Sequence, residues 1–258
     1  MKIATYNVNG INARLPVLLR WLEETAPDVA CLQELKSIEE KFPLLAIHGA
    51  GYNVVMHGQK SWNGVAILAK NQLELKESSR GLPGNDTDEQ SRYIEAQVED
   101  ILVCCLYAPN GNPAPGPKFD YKMNWLQRLV IRSEMLVKMS NPVVVLGDYN
   151  IIPTDFDAQK PERWVNDAVF FPEAKEIYQQ LLKQGWTDSI RELHRNEKIF
   201  TYWDYFRNAF NRDAGIRMDH LLLNAPLATR LKAGNVDRNV RGWEKTSDHA
   251  PVWIDVSD

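Results

Sequence analysis

Val143-Val144-Val145-Leu146-Gly147-Asp148-Tyr149-Asn150 is an apolar, β-branched run that stops on an acid. Apolar residues at successive positions, without alternation, read as a strand covered on both faces. Gly147 lets backbone or ligand come close to the acid that follows. The same design recurs on either side. Val29-Ala30-Cys31-Leu32 ends at Gln33-Glu34, Asp219 precedes Leu221-Leu222-Leu223, and Ser247-Asp248-His249 opens Ala250-Pro251-Val252. Charged groups are costly to bury unless they are paired or hold a cation. Four acids beside the ends of buried strands are hard to explain by packing, and a hard divalent metal assisting phosphate-ester cleavage would account for all of them.

Outward from that run, Ile3 to Val8 reads as a strand, and Pro16 opens a helix with Leu15, Leu18, Leu19 and Leu22 at helical spacing. Ser37-Ile38-Glu39-Glu40 has the form of a capping box and predicts a helix. Tyr52 to Met56 and Val65 to Ala69 read as strands, as do Tyr93 to Val98 and Ile101 to Tyr107, which flank Glu99-Asp100 as a hairpin. Gly81 to Gln90 and Pro109 to Pro117 are loops by composition. Phe119, Met123, Leu126, Leu129 and Val130 mark a long amphipathic helix, and a second from about Pro172 to Gln184 stops at Gly185. Arg217 to Asn224 and Ala250 to Val256 supply late strands. Hairpins mixed with strand–helix alternation favour a mixed-sheet α/β sandwich over a purely parallel sheet, built as a single domain over residues 1–258.

Of the 258 residues, 44% are hydrophobic and 25% charged, the balance of a soluble globular chain. No apolar run approaches the roughly 18 to 20 residues needed to cross a bilayer, so no membrane association is expected. The start leads directly into a strand pattern, so no signal peptide is expected. Three cysteines, two of them adjacent (Cys104, Cys105), form no disulfide framework and no metal-ligand spacing, which suits the cytoplasm. The formal charge of −4, with 30 basic against 34 acidic residues, argues against a passive DNA-coating protein. It leaves room for an enzyme with a local basic rim.

Mg²⁺ takes oxygen ligands and commonly uses one or two carboxylates plus substrate phosphate. Glu34 is the foremost candidate for a direct ligand; the plain alternative is a strand-end Glu paired with Lys36. Asp148 with Asn150 could orient a water and bind a phosphate oxygen from one face of an extended segment, or simply form an Asx turn. Asp219 and His249 could pair so that the carboxylate fixes the imidazole and favours its protonated form, ready to donate to a phosphate oxygen. His220 points to the opposite strand face, and His48, His57 and His194 read as ordinary surface or core residues. Asn7 and Asn9 end the first strand on one face, and Tyr107 could put its phenol into the same cleft. Arg80, Arg92, Lys118, Lys122, Arg207 and Arg212 could form a phosphate rim.

Tyr6-Asn7-Val8-Asn9-Gly10, Leu32-Gln33-Glu34-Leu35-Lys36, Trp62-Asn63-Gly64-Val65-Ala66, Tyr107-Ala108-Pro109-Asn110-Gly111, Gly147-Asp148-Tyr149-Asn150, Arg217-Met218-Asp219-His220 and Ser247-Asp248-His249-Ala250-Pro251 follow one another along the chain. In these motifs and their order the chain resembles the exonuclease III family of abasic-site endonucleases, within the endonuclease/exonuclease/phosphatase superfamily. Lys118-Phe119-Asp120-Tyr121-Lys122 looks closer to its bacterial branch. The resemblance implies a four-layer α/β sandwich of two mixed sheets flanked by helices, with the site at one sheet edge. It implies Glu34 as principal metal ligand, supported by Asn7, Asn9 and Asp248, with Mg²⁺ as the ion and Mn²⁺ able to substitute. Asp148 would align the attacking water, Asn150 and His249 would contact the scissile phosphate, Asp219 would hold His249, and Tyr107 would tune the pocket. Asn110, Lys36, Tyr202, Ile216, Met218, Lys118 and Arg212 would contact DNA, with Tyr202, Ile216 and Met218 walling the sugar pocket. The family often has Trp where Tyr6 stands, Phe where Tyr149 stands, and Trp or Phe where Tyr202 stands. The expected enzyme is a monomeric repair nuclease acting 5′ to abasic sites and at 3′ ends of double-stranded DNA. Two rivals stand beside it: a phospholipid phosphodiesterase sharing the same acids, and a catalytically silent DNA-binding scaffold.

Overall fold

The computed structural model describes residues 1–257 and so leaves aside Asp258, the last residue of the expected 1–258 unit. The chain lays down β1 (Lys2–Asn7), α1 (Leu15–Thr25), β2 (Val29–Gln33), α2 (Leu44–Gly49), β3 (Tyr52–His57) and β4 (Val65–Lys70). Next come β5 (Leu75–Arg80), β6 (Tyr93–Val98), β7 (Ile101–Tyr107), α3 (Pro117–Val137) and β8 (Val143–Asp148). The remainder is α4 (Pro172–Lys183), β9 (Thr187–Asp188), α5 (Ser189–Leu193), β10 (Asp219–Leu223), α6 (Ala225–Ala228), β11 (Leu231–Val236) and β12 (Val252–Val256).

Two six-stranded sheets result, ordered β11-β12-β1-β2-β4-β3 and β5-β6-β7-β8-β10-β9. Each has a single parallel pair near its centre, β1 with β2 and β7 with β8, and antiparallel pairs elsewhere. The strands alternate as their pleat requires. Val144 and Leu146 face the other sheet with Ile3, Cys31, Ile67 and Val103, whereas Val143 and Val145 face the helices with Trp125, Leu129 and Tyr178. On the opposite side Ala4, Tyr6 and Leu32 meet Leu18, Trp21 and Leu22 of α1. Helix, sheet, sheet, helix is the four-layer α/β sandwich expected.

Several local expectations need correction. The Ser37–Glu40 capping box does not form: Ser37 Oγ donates to the neighbouring Ile38 carbonyl, and only a 3-10 turn at Glu39–Lys41 follows before α2. Strands β5 (LKESSR) and β11 (LKAGNV) went unread because an edge strand needs few apolar residues. The glycine before Asp148 serves a backbone approach: Gly147 has φ +146°, and a Cβ there would lie 1.9 Å from the Leu106 carbonyl oxygen of β7.

Beneath β10 lies a buried ion network. Arg217 Nε donates to Asp157 Oδ1 at 2.7 Å and its Nη1 to Asp188 Oδ2 at 2.8 Å, while Arg191 Nη2 reaches Asp157 at 2.8 Å. Burial works against the Asp157 charge, but the Arg217 guanidinium and the hydrogen bonds outweigh it and hold the carboxyl at about 2. His220 closes this network on the strand face away from Asp219, its Nδ1 accepting from Arg217 Nη1 at 3.1 Å and its Nε2 donating to the Ile151 carbonyl at 3.0 Å.

Candidate active site

Parallel pairing brings the carboxyl ends of β1 and β2 together in one sheet, and those of β7 and β8 in the other. Asn7 is opposite Gln33, and Tyr107 is opposite Asp148. Antiparallel β10 then sets Asp219 directly against Asp148. Polar side chains from distant parts of the sequence thus reach one cavity of about 200 Å³, lined by Glu34, Tyr107, Asn110, Asp148, Asn150, Asp248 and His249 with Trp164, Asp167, Val169, Tyr202 and Met218.

Asn7 is the central strut. Its Nδ2 donates to Asp148 Oδ2 at 2.9 Å and to Glu34 Oε1 at 3.1 Å, and its Oδ1 accepts from the Asn9 backbone N–H. Glu34 Oε1 also accepts from Tyr107 Oη at 2.7 Å, and Oε2 pairs with Lys36 Nζ at 2.9 Å. Burial raises the Glu34 pKa, but the Lys36 charge and the donated hydrogen bonds prevail and keep it below the usual carboxylate range. Lys36 also donates to Asn9 Oδ1 at 2.7 Å, and Asn9 Nδ2 donates to Asp248 Oδ1 at 3.1 Å.

The second half of the site is a charge chain. His249 Nδ1 is 2.8 Å from Asp219 Oδ2, which also accepts from Thr201 Oγ1 at 2.6 Å. His249 Nε2 faces Asp148 Oδ2 at 3.8 Å. Burial disfavours the imidazolium, yet Asp219, with Asp148 behind it, lifts His249 to about 10. Burial raises Asp148 to about 7, against the pull of His249 and with a push from Asp219. Asp148 Oδ1 accepts the Asn150 backbone N–H at 2.9 Å, so the Asx turn is present. Asn150 is therefore not on an extended segment: its φ is +49°, and the turn swings its amide toward Ala108 and Asn110.

Asp148, Asp219 and His249 have ligand atoms within 4.8 Å of one another. An imidazole that keeps its proton is a cation, however, and cannot bind a metal through that nitrogen. The all-oxygen group of Glu34 and Asp248, braced by Asn7 and Asn9, is the better match to a hard divalent ion. Lys36 already holds the Glu34 and Asn9 oxygens, so such an ion would have to displace its ammonium from them.

The other expected residues fall in graded positions. Tyr202 lies edge-on to His249, with ring centroids 5.0 Å apart, and Met218 lines the cavity. Ile216 does not: it is fully buried behind the wall, pairing its backbone with Tyr202 and Ala158. Trp164 stands in the wall in its place. Lys118 and Lys36 line a groove of about 780 Å³ that shares Glu34, Tyr107 and Asn110 with the cavity. Arg212 lines a basin of about 630 Å³ that shares Trp164 and Asp167 with it. Arg92 and Arg207 belong to that groove and basin respectively, whereas Arg80 is tied to Glu39 and Glu77. Lys122 is no part of a rim, being fully buried. Sequence reading missed Trp164 and Thr201, which carry no local signal. It also passed over Ser247, whose hydroxyl donates to Asn7 O at 2.7 Å and receives the His249 N–H.

Residues 4–249 match the model of the Endonuclease/Exonuclease/phosphatase family, and the chain belongs to that family. Its similarity lies on the exonuclease III side. Exodeoxyribonuclease III of Haemophilus influenzae is 37% identical, with 99% of each chain covered. An AP endonuclease structure from Archaeoglobus fulgidus superposes with a TM-score of 0.95 at 37% identity over 100% of both chains. A 3′ phosphatase from Neisseria, solved with a product DNA hairpin, gives 0.94 at 37% identity, also over 100% of both.

Proposed function

We propose that the cavity hydrolyses phosphate esters of duplex DNA as a repair nuclease, incising 5′ to abasic sites and trimming 3′ ends or 3′-phosphates. One observation carries the chemistry: the Asp148 carboxylate is held between Asn7 and His249, with Asp219 behind the imidazole. That arrangement places a base and a proton-bearing cation side by side at the mouth of two grooves. The names borne by the relatives, exodeoxyribonuclease III, AP endonuclease and 3′ phosphatase, support DNA as the substrate.

Asp148, raised toward neutrality by burial, orients a water and accepts its proton as the oxygen attacks phosphorus. His249, charged by Asp219, offers Nε2–H to the phosphate oxygen whose charge grows. Asn150 uses one amide hydrogen on Ala108 O and Asn110 one on Asn150 Oδ1, so each keeps a second for the phosphate. Tyr107 orients Glu34 through its hydroxyl. Glu34 and Asp248 would hold Mg²⁺, or Mn²⁺ in its place, and the bound ion would supply Lewis-acid stabilisation of the phosphate and of the leaving 3′-oxygen. An abasic nucleotide costs little to extrude because it has no base to unstack. Trp164, Tyr202 and Met218 wall a cavity suited to the bare sugar. The enzyme would act as a single-domain monomer in the cytoplasm.

A labelled duplex with one abasic-site analogue, incubated with Mg²⁺ or with EDTA beside a recessed-end duplex, tests this. Incision 5′ to the lesion only with metal is the expected result. Degradation of the recessed end alone would reduce the reading to 3′-end processing, and no cleavage of either would refute it.

A further inference from the structure

Lys122 is the one charged residue in the first turns of α3 that faces inward, and it is 0% exposed. A buried ammonium is costly without partners, and this one has no carboxylate in contact among the described residues. Its Nζ instead donates to three backbone carbonyls: Asn150 at 2.6 Å, Asn110 at 3.0 Å and Ala168 at 3.1 Å. Burial lowers the Lys122 pKa to about 7, against the pull of Asp167 and Asp148. Three acceptors converging on one nitrogen nevertheless require three N–H donors, which only the protonated amine possesses, so the geometry favours the charged form.

Those carbonyls belong to three loops that are linked pairwise elsewhere, Ala108 N–H to Asp148 O at 2.8 Å, Ile152 N–H to Val169 O at 2.8 Å and Ala168 N–H to Asn112 Oδ1 at 3.0 Å. Only Lys122 Nζ joins all three loops at one atom. One follows β7 and carries Asn110, one follows β8 and carries Asn150, and one carries Asp167 and Val169 of the cavity wall. The fit around the lysine is close. A Cβ on Gly111, whose φ is +93°, would come within 2.7 Å of Lys122 Cδ and 3.1 Å of Ala168 Cβ.

We infer that Lys122 is a positioning residue: its ammonium clamps the three loops so that the amides of Asn110 and Asn150 stand as a preset pair beside Asp148. The pair itself is visible as the Asn110 Nδ2 to Asn150 Oδ1 hydrogen bond of 3.1 Å. The inference rests on the reading of Asn150 as a phosphate contact, but the clamp can be measured without any reaction.

Lys122→Met keeps length and volume and removes all three donors. In protein labelled with ¹⁵N-asparagine, hydrogen exchange of the Asn150 side-chain amide should speed up about tenfold or more, while β8 backbone amides hold their protection. On DNA, Lys122→Met should lower kcat about 100-fold with KM changed far less. In an Asn150→Ala background the same substitution should cost less than about threefold more, because the clamp acts through that amide. Unchanged exchange, or full additivity of the two substitutions, would overturn the inference. Altered exchange in a protein that cuts no DNA would instead refute the proposed function and leave the clamp standing. Should Lys122→Met fail to fold, Lys122→Gln, with two donors left, carries both measurements under the same criteria.

Discussion

The protonation of the site is set by single contacts. His249 keeps its proton to about pH 10 because Asp219 lies 2.8 Å from Nδ1, despite full burial. A raised pKa means the charged form persists as pH climbs and is lost only on passing that value. Asp219→Asn removes the countercharge, so His249 should lose its proton earlier and the alkaline limb of kcat/KM should move to lower pH. A pH–rate profile with the limb unmoved would show that His249 does not act as a charged donor. At this scale the sequence was informative where an acid ended a buried strand, as at Glu34 and Asp148. It was silent on Thr201, which secures Asp219 through a hydroxyl 18 residues away. It also misled on Ile216, an apolar residue beside a motif that packs behind the wall instead of in it.

Elements matter here through where they end and what lies under them. β7 and β8 approach so closely at Gly147 that a methyl there would meet the Leu106 carbonyl at 1.9 Å. Gly147→Ala should therefore cost about 3 kcal/mol or prevent folding, read as a fall in the thermal midpoint; an unchanged midpoint would contradict the strand spacing. The approach to β10 rests on Arg217, Asp157 and Asp188. Asp157, held at about 2 against an ordinary 3.8, adds stability that is full above about pH 4 and is lost as pH falls toward 2. The urea midpoint should drop between about pH 4 and 2, and drop less in Asp157→Asn; equal slopes would exclude the linkage. Central strands were legible from their unbroken apolar runs. The edge strands β5 and β11 were not, unlike the edge strand β3 with its Val54-Val55-Met56 run. Nor was the missing helix after Ser37, since a capping pattern stabilises a helix only if the following residues can bury a face.

Across the whole molecule, two sheets with the same pairing pattern direct their central strands to one edge, and five of the seven sequence motifs line one cavity between two grooves. The four-layer arrangement followed from hairpins mixed with strand–helix alternation together with the family motifs. The meeting of His249 with Asp219 and Asp148 could not be read from spacing, because it depends on β10 pairing with β8 in one sheet and β12 with β1 in the other. In the proposed function the grooves would hold the duplex and one carboxylate would activate water, a division of labour in which binding and chemistry would be separable. Asp148→Asn preserves shape and the grooves while removing the base. Single-turnover cleavage and equilibrium binding of the same abasic duplex, measured for wild type and Asp148→Asn, test the division directly. Cleavage should fall by about 10³ to 10⁴-fold while the Kd stays within about threefold. Cleavage retained in the variant with Mg²⁺ present, or binding lost in step with it, would contradict the role assigned to Asp148.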